Sequence, residues 1–372
     1  MQDAVKRKSN IELLRIVVMF LIVGHHYFIH GLIDSWDKEA CQIWLRGGVS
    51  NKFFSSLFFP GGEVGVAVFF IIMGFFSIQK NKIKVAKVFI QTEYCAIVSI
   101  VMIATASIMG MNIDSATLLN SIVKLIAIPV SGMWWYVPVY LLLCFIAPLI
   151  NQMILPLGKH TMIVLIVLMW GLWYGLGNLC TAPLYILQKG VFFYTVGAYL
   201  RLHESSEKKY RFIKVQVYQG IILTVLWLIG AICAWLSCKI SISAGQESMQ
   251  FRLMAFFYST FVVPGCAIEL FKIFNAIQIQ NDKINLIAKT TFGIYLLHDS
   301  VPARIVIWDK LFHVKSQYQT QSFPLYMIVS ILIIYVGFGI VMYIWNTYAE
   351  ERVTRKIQNV VHFIKVKENI YE

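Results

Sequence analysis

Charge is what this sequence has least of. Only 14% of its 372 residues are charged, against roughly 25% in soluble globular domains. Acids are scarcer still, 19 against 32 lysines and arginines, while 58% of the chain is hydrophobic. That composition excludes an ordinary soluble domain. The seven cysteines show no C-x-x-C spacing, so neither a zinc site nor a redox pair is indicated and no metal is expected. Cys95, Cys144, Cys233 and Cys266 fall in apolar stretches as small fillers; Cys41, Cys180 and Cys238 fall at or near the side opposite the termini. No cleavable signal is evident, because the first apolar run is too long and wrongly flanked. With no Pro- or Ser-rich linker and no internal repeat, 1–372 reads as a single domain.

What the chain has is apolar length. A window of about 19 residues finds about ten candidate helices, near 11–31, 64–79, 86–110, 134–155, 162–178, 183–200, 216–238, 252–274, 287–312 and 323–346. The expectation is an all-α, polytopic transmembrane helix bundle. Its orientation follows from the basic residues. Lys6, Arg7 and Lys8, the lysines at 80, 82, 84 and 87, the 201–214 loop and the 347–372 tail (Arg352, Arg355, Lys356, Lys365, Lys367) fall on one side if the span number is even. Both termini are therefore expected in the cytoplasm. The net charge of +13 is mostly this topological signal plus attraction to anionic lipid headgroups, so nucleic acid is not an expected partner.

Two ionisable residues interrupt the first apolar segment. Arg15 and His26 are eleven residues apart, which at about 100° per residue returns to within roughly 20° of the same face. Their axial separation is about 16 Å, half the hydrocarbon thickness. Ser9 and Glu12 fit a capping box at the start of that helix. An arginine snorkelling to the headgroups and a histidine pair at the far interface is the bland alternative; against it, Arg15 lies inside the apolar run with Glu12 as a partner at i+3. Late in the chain Tyr295, His298 and Asp299 stand at i, i+3 and i+4, so one helical patch presents a phenol, an imidazole and a carboxylate. Polar contacts between helices are the plainer reading of that patch. The aromatic cluster at 134–140 reads first as an interfacial belt.

The string Asn10-Ile11-Glu12-Leu13-Leu14-Arg15 with the apolar run to His26 resembles the opening of the acyltransferase-3 family, bacterial integral-membrane O-acyltransferases of about ten spans. The family's first-helix signature, arginine, ten residues, histidine, maps onto Arg15 and His26, with His25 in the preceding position. Three further stretches carry the resemblance. Gly65 to Phe76 is similar to the second-helix run, with Met73 where a serine is usual and Ala67 where Asn or Asp is frequent. Trp134-Trp135-Tyr136 to Leu141 is similar to an aromatic stretch. Thr291-Phe292-Gly293-Ile294-Tyr295-Leu296-Leu297-His298-Asp299 is similar to the late Phe-Gly-Ile-Tyr-Leu-x-His run. The match covers roughly 10–346.

The resemblance implies transfer of an acyl group, commonly acetyl, from acyl-CoA to a hydroxyl of a cell-envelope polysaccharide or its lipid-linked precursor, in the bacterial plasma membrane. Acetyl-CoA is then a co-substrate and no bound cofactor is expected. His26, His298 and Asp299 are the expected catalytic residues, and Arg15 and Tyr295 the donor-binding ones. Histidine suits a base at cellular pH, and arginine suits phosphate through its bidentate fork. The lysines of 80–87 would suit CoA phosphates near a cytoplasmic entrance. Direct transfer and an acyl-imidazole at His26 both stand open. The rival classes are a transporter or flippase of a glycan or small solute, which composition does not separate from an enzyme, and a regulatory subunit that has lost the chemistry.

Overall fold

The computed structural model describes residues 7–80, 85–111, 113, 115–126, 134–177, 185–204 and 212–356. Among these residues there is no strand. The helices are α1 (Ser9–His26), α2 (Lys38–Arg46), α3 (Val49–Ser56), α4 (Phe59–Ser77), α5 (Ala86–Ile108), α6 (Ser115–Ile126), α7 (Tyr136–Ile154), α8 (Lys159–Leu168) and α9 (Tyr185–Tyr199). There follow α10 (Phe212–Ala244), α11 (Met249–Phe257), α12 (Val263–Ala276), α13 (Asp282–Ala288), α14 (Thr291–Asp299), α15 (Val301–Arg304), α16 (Val314–Gln317) and α17 (Phe323–Tyr348). Several run into wider π-type turns, notably Tyr27–Ile33 after α1 and Ile305–Leu311 after α15.

Each apolar window coincides with helix, but not each with a full span. Among the described residues seven stretches are long and apolar enough to cross a bilayer: Ser9–Ile33, Val49–Ser77, Ala86–Ile108, Tyr136–Ile154, Gln216–Ala244, Met249–Ala276 and Phe323–Tyr348. The other three windows fall short for local reasons. Lys159–Leu172 is a shorter apolar helix, α9 runs on into Leu200–Glu204 but carries Lys189, Arg201 and Glu204, and the 287–312 window is broken at Ser300, whose backbone is extended.

Helix α4 is the centre of the bundle. It packs against α1, α9 and α12, and 83% of its most apolar stretch is buried. Glycine makes the closest crossing. A Cβ on Gly74 would overlap the Tyr194 carbonyl, and one on Gly197 the Ile71 carbonyl, so α4 and α9 interlock backbone to backbone, as small residues allow in membrane bundles. The helix start departs from the capping-box expectation. Lys8, not Ser9, precedes α1, without a side-chain cap. The Ser9 hydroxyl donates to Asn285 Oδ1 at 2.9 Å and accepts from Asn281 N, while Glu12 pairs with Arg7 and Arg15. Ser9 thus clamps α1 to α13 rather than capping its own helix.

The basic segments gather at one end. Lys8 and Arg201 both lie over the Phe75 ring, at 5.1 and 5.3 Å, and Lys87 pairs with Glu350 at 3.2 Å. At the other end Lys315 pairs with Asp34, Ser241 donates to the Trp36 carbonyl, and Asn51 donates to the Tyr318 and Thr320 carbonyls. That grouping agrees with the basic-residue asymmetry. Lys6, Lys82, Lys84, Lys208, Lys209, Arg211, Lys365, Lys367 and Cys180 lie outside the described residues. The described cysteines are buried thiols.

The crossing of α4 and α9 is testable. Gly74→Ala is expected to lower the thermal midpoint in detergent, since overpacking a close contact costs about 1–3 kcal/mol. Gly171→Ala, where a Cβ meets nothing within 4 Å, should hold or raise it. Equal midpoints for the two variants would show that α4 and α9 are not in backbone contact.

Candidate active site

The expected catalytic trio does converge. His26 ends α1, and its Nδ1 lies 2.8 Å from His298 Nε2 and 3.4 Å from Asp299 Oδ1. His298 and Asp299 come from the end of α14, both with no exposed surface. Hydrogen-bond polarity then settles the tautomers. His298 Nδ1 lies 2.6 Å from the Ile294 carbonyl, which can only accept, so Nδ1 carries the proton. With one proton per ring, His298 Nε2 accepts from His26 Nδ1, and the His26 lone pair is on Nε2. Nε2 makes no hydrogen bond among the described residues, and His26 borders a cavity. His25 differs: its Nδ1 is held at 2.6 Å by the neutral Phe59 carbonyl, its ring lies along Gly62, and no carboxylate bonds to it.

Asp299 is the junction of this cluster, and two of its partners carry no mark in the family-like motif. His30 Nε2 approaches Oδ1 to 3.6 Å, and Arg304 reaches it with Nε at 3.0 Å and Nη2 at 2.9 Å. Arg304 can turn back because α14 stops. Ser300 is extended, its hydroxyl accepts from Ala303 N, and Pro302 sits in the first turn of α15, where its missing N–H costs nothing. Those punctuating residues were visible in the sequence, and so was His30, one turn beyond His26. His26, His30 and Asp299 offer three ligand atoms within 4.8 Å, a metal-like set. The Arg304 guanidinium on the same oxygen already balances its charge.

Arg15 belongs to a different cavity. Its Nη1 donates to Glu12 at 2.8 Å and its Nη2 to Thr291 Oγ1 at 3.4 Å. The surrounding space, about 630 Å3, is lined by Lys8, Glu12, Arg15 and Lys80 at its polar end. Met19, Phe69, Met73 and Phe76 supply apolar wall. Arg15 therefore faces protein, not headgroups. Burial, with the nearby Arg201 charge, pushes the Lys8 ammonium down from its ordinary value. Of the 80–87 lysines, Lys80 reaches this cavity while Lys87 is engaged by Glu350. Met73, standing where a serine was expected, contributes wall rather than a polar group.

A second cavity of about 330 Å3 contains His25, His26 and His30 with Glu63, Trp135, Tyr185, Lys189 and Arg304. Both volumes fall in the range of small-molecule sites. The two share Ile22, Val66 and Tyr295 as lining, so Tyr295 stands between the Arg15 and His26 cavities. Its hydroxyl lies beside the Tyr136 backbone N–H, and its own proton has no acceptor among the described residues. The aromatic stretch is not an interfacial belt. Trp134, 2% exposed, donates from Nε1 to the Leu296 carbonyl of α14. Tyr136 packs edge-on against Tyr295 at 5.9 Å. Glu63 and Lys189 form an ion pair inside the second cavity; a lone lysine in the 183–200 apolar window was the available signal.

The chain is thus a helical bundle with membrane-length helices, in which two cavities with common lining residues adjoin an imidazole–carboxylate cluster. The family model of the acyltransferase domain, acyltransferase-3, matches residues 8–344, and the chain belongs to that family. No curated protein and no solved structure matches it.

Breaking the Asp299 junction has a defined signature. Arg304→Ala leaves a buried carboxylate short of its guanidinium, and losing one partner of a buried pair costs about 3–5 kcal/mol. Since 31% of the Arg304 side chain is exposed, the lower end is expected. Adding Asp299→Asn should recover much of the loss. Additive destabilisation in the thermal midpoints would show that the two residues are not coupled.

Proposed function

We propose that the protein is a membrane O-acyltransferase that moves an acyl group, acetyl in the simplest case, from acyl-CoA to a hydroxyl of a cell-envelope polysaccharide or its lipid-linked precursor. The bacterial plasma membrane is its location, with the Arg15 cavity toward the cytoplasm. The observation that supports this best is a cation-rich cavity adjoining a histidine cavity, with Ile22, Val66 and Tyr295 lining both. CoA is an anionic, phosphate-bearing head on a long neutral arm that ends in a thioester. Lys8, Arg15 and Lys80 suit the phosphates, Arg15 through its fork, and the apolar wall suits the arm. The thioester then lies beside Tyr295, whose hydroxyl has a proton to donate.

On this reading His26 Nε2 takes the proton of the acceptor hydroxyl as its oxygen attacks the thioester carbonyl. The carbonyl oxygen gains charge and is met by Tyr295, a fixed donor in a site poor in water. The C–S bond breaks, CoA leaves as its thiol with the proton returned from His26, and the ester remains on the acceptor. His298 and Asp299 keep Nδ1 protonated, and the carboxylate stabilises the transient imidazolium, the role of the orienting acid in serine hydrolases. If the acyl group rests briefly on the enzyme, the same Nε2 carries it.

In proteoliposomes the protein is expected to consume acetyl-CoA. His26→Ala should cut the rate by about 10²–10⁴, the usual worth of a positioned base, at parental membrane levels, with His25→Ala much milder. Parental activity in the His26 variant removes it from the chemistry.

Arg15 separates charge from geometry. Arg15→Lys keeps the charge but loses the fork, and Arg15→Ala loses both. A hydrogen bond to a charged group is worth about 1.5–3 kcal/mol, so the alanine variant should raise the donor KM roughly ten- to a hundredfold, with lysine between. An unchanged donor KM across the series returns Arg15 to a topological role.

A further inference from the structure

The Glu63–Lys189 ion pair has no part in the chemistry assigned to His26, and its position is costly. Lys189 lies on α9 with 2% of its surface exposed, and Glu63 near the start of α4. A buried pair seldom repays the desolvation of its members, and ionisable side chains inside a membrane bundle mark ligand or proton sites. Joining α4 to α9 does not require it, since those helices already interlock at Gly74 and Gly197. Both charged ends line the His26 cavity, Glu63 with 31% of its side chain open, beside Trp135 and Tyr185.

Charge accounting separates the two cavities. Around the Arg15 cavity, Lys8, Arg15 and Lys80 outnumber the single carboxylate of Glu12. Around the His26 cavity every formal charge among the described residues is answered inside the protein: Glu63 by Lys189, Asp299 by Arg304. The stretches flanking Trp134 and Tyr185 in sequence, 127–133 and 178–184, contain no Asp, Glu, Lys or Arg. An acceptor bearing phosphate or carboxylate would have to draw Lys189 from Glu63, or Arg304 from Asp299, leaving a buried carboxylate unpaired. A polyol draws nothing away. Its hydroxyls donate to the carboxylate, its oxygens accept from the ammonium, and the aromatic side chains offer an apolar body with a polar tip.

We propose that the His26 cavity is the acceptor subsite for an uncharged, hydroxyl-rich ring, a neutral hexose or N-acylhexosamine unit, and that Glu63, oriented by Lys189, binds the hydroxyls neighbouring the one acylated. The inference rests on the acyl-transfer reading above and names the class of sugar it uses.

Two experiments test it. In the native host, gene deletion and complementation followed by mass spectrometry of envelope glycans locates the ester. Loss of ester from an uncharged sugar residue is expected. Loss from a uronic acid or phosphate-bearing residue overturns this inference and leaves acyl transfer standing. Loss of no ester overturns acyl transfer to glycans itself. In the complemented strain Glu63→Gln should reduce glycan acylation at least tenfold at parental membrane levels, while equilibrium binding of CoA to the purified protein stays unchanged. Unchanged acylation, or weakened CoA binding, overturns the role given to Glu63. The exchange variant Glu63→Lys with Lys189→Glu re-forms the pair in reverse. If acylation returns with it, the pair is a structural staple and the proposal falls; continued loss in a normally inserted protein supports it. Should the exchange variant fail to insert, Glu63→Gln decides alone.

Discussion

Asp299 is a carboxylate without exposure to water, and the meeting of three chain segments follows from how that charge is answered. A single oxygen, Oδ1, faces His26, His30 and both Nε and Nη2 of Arg304. The histidines come from α1 and the wide turn after it. Arg304 comes from the same stretch as Asp299, and only a break in the helix lets it return. In an unbroken α-helix a residue five positions on points about 140° away. The Ser300 break therefore exists for the same reason as the cluster: a carboxylate in an apolar interior needs a permanent cation, and the chain supplies one by folding back. With that cation in place, His26 and His298 need not be charged at rest, and the hydrogen bond between them keeps one direction.

The glycines of α4 determine what can stand beside that cluster. At its start Gly61 lets the Leu21 carbonyl approach, and Gly62 receives the His25 ring, so α1 lies close to α4 where its histidines are. Toward its end Gly74 admits the α9 backbone, while Met73 and Ser77 border the Arg15 cavity. One helix thus walls both cavities, and Val66, between those two regions, lines both. The close α4–α9 crossing also carries Lys189 inward to Glu63. A larger residue at position 74 or 197 would disturb the cavity as well as the packing.

Sequence pattern located the helices better than their ends. Hydropathy averages over about nineteen residues, so it found 287–312 as one apolar window and missed the single extended residue that divides it. The Arg15–His26 spacing gave a shared face, and both side chains reach the same helix, α14, Arg15 at Thr291 and His26 at His298. It did not say that the two residues open on different cavities, because azimuth is silent about what fills the space between depths. Local rules failed where tertiary contacts outbid them. Ser9 had the right spacing for a capping box but found Asn285, and Trp134 and Tyr136 had the composition of a membrane belt but found α14. His30, Arg304, Glu63 and Lys189 were passed over because each is ordinary alone. Their meaning lies in pairs distant in sequence, Glu63 with Lys189 above all. No periodicity records such a pair, although an isolated lysine within an apolar window asks for a partner.

The unequal charge of the two cavities bears on how one reaction can run between them. A cation-rich pocket holds a phosphate-bearing head by charge complementarity. The residues common to both cavities, Ile22, Val66 and Tyr295, carry no formal charge and a single hydroxyl. On the proposed chemistry the head stays where the cations are, and only the neutral arm with its thioester bridges toward His26. The eleven-residue interval between Arg15 and His26, about 16 Å along the helix axis, is the length that arm must cover. Around His26 a second set of unpaired cations would be harmful, since it would compete for the phosphates and hold them at the wrong end. Pairing Lys189 with Glu63 and Arg304 with Asp299 removes that competition while leaving groups that can hydrogen-bond a hydroxyl. On that chemistry the division of charge between the two cavities gives the donor one orientation, with its reactive end toward His26.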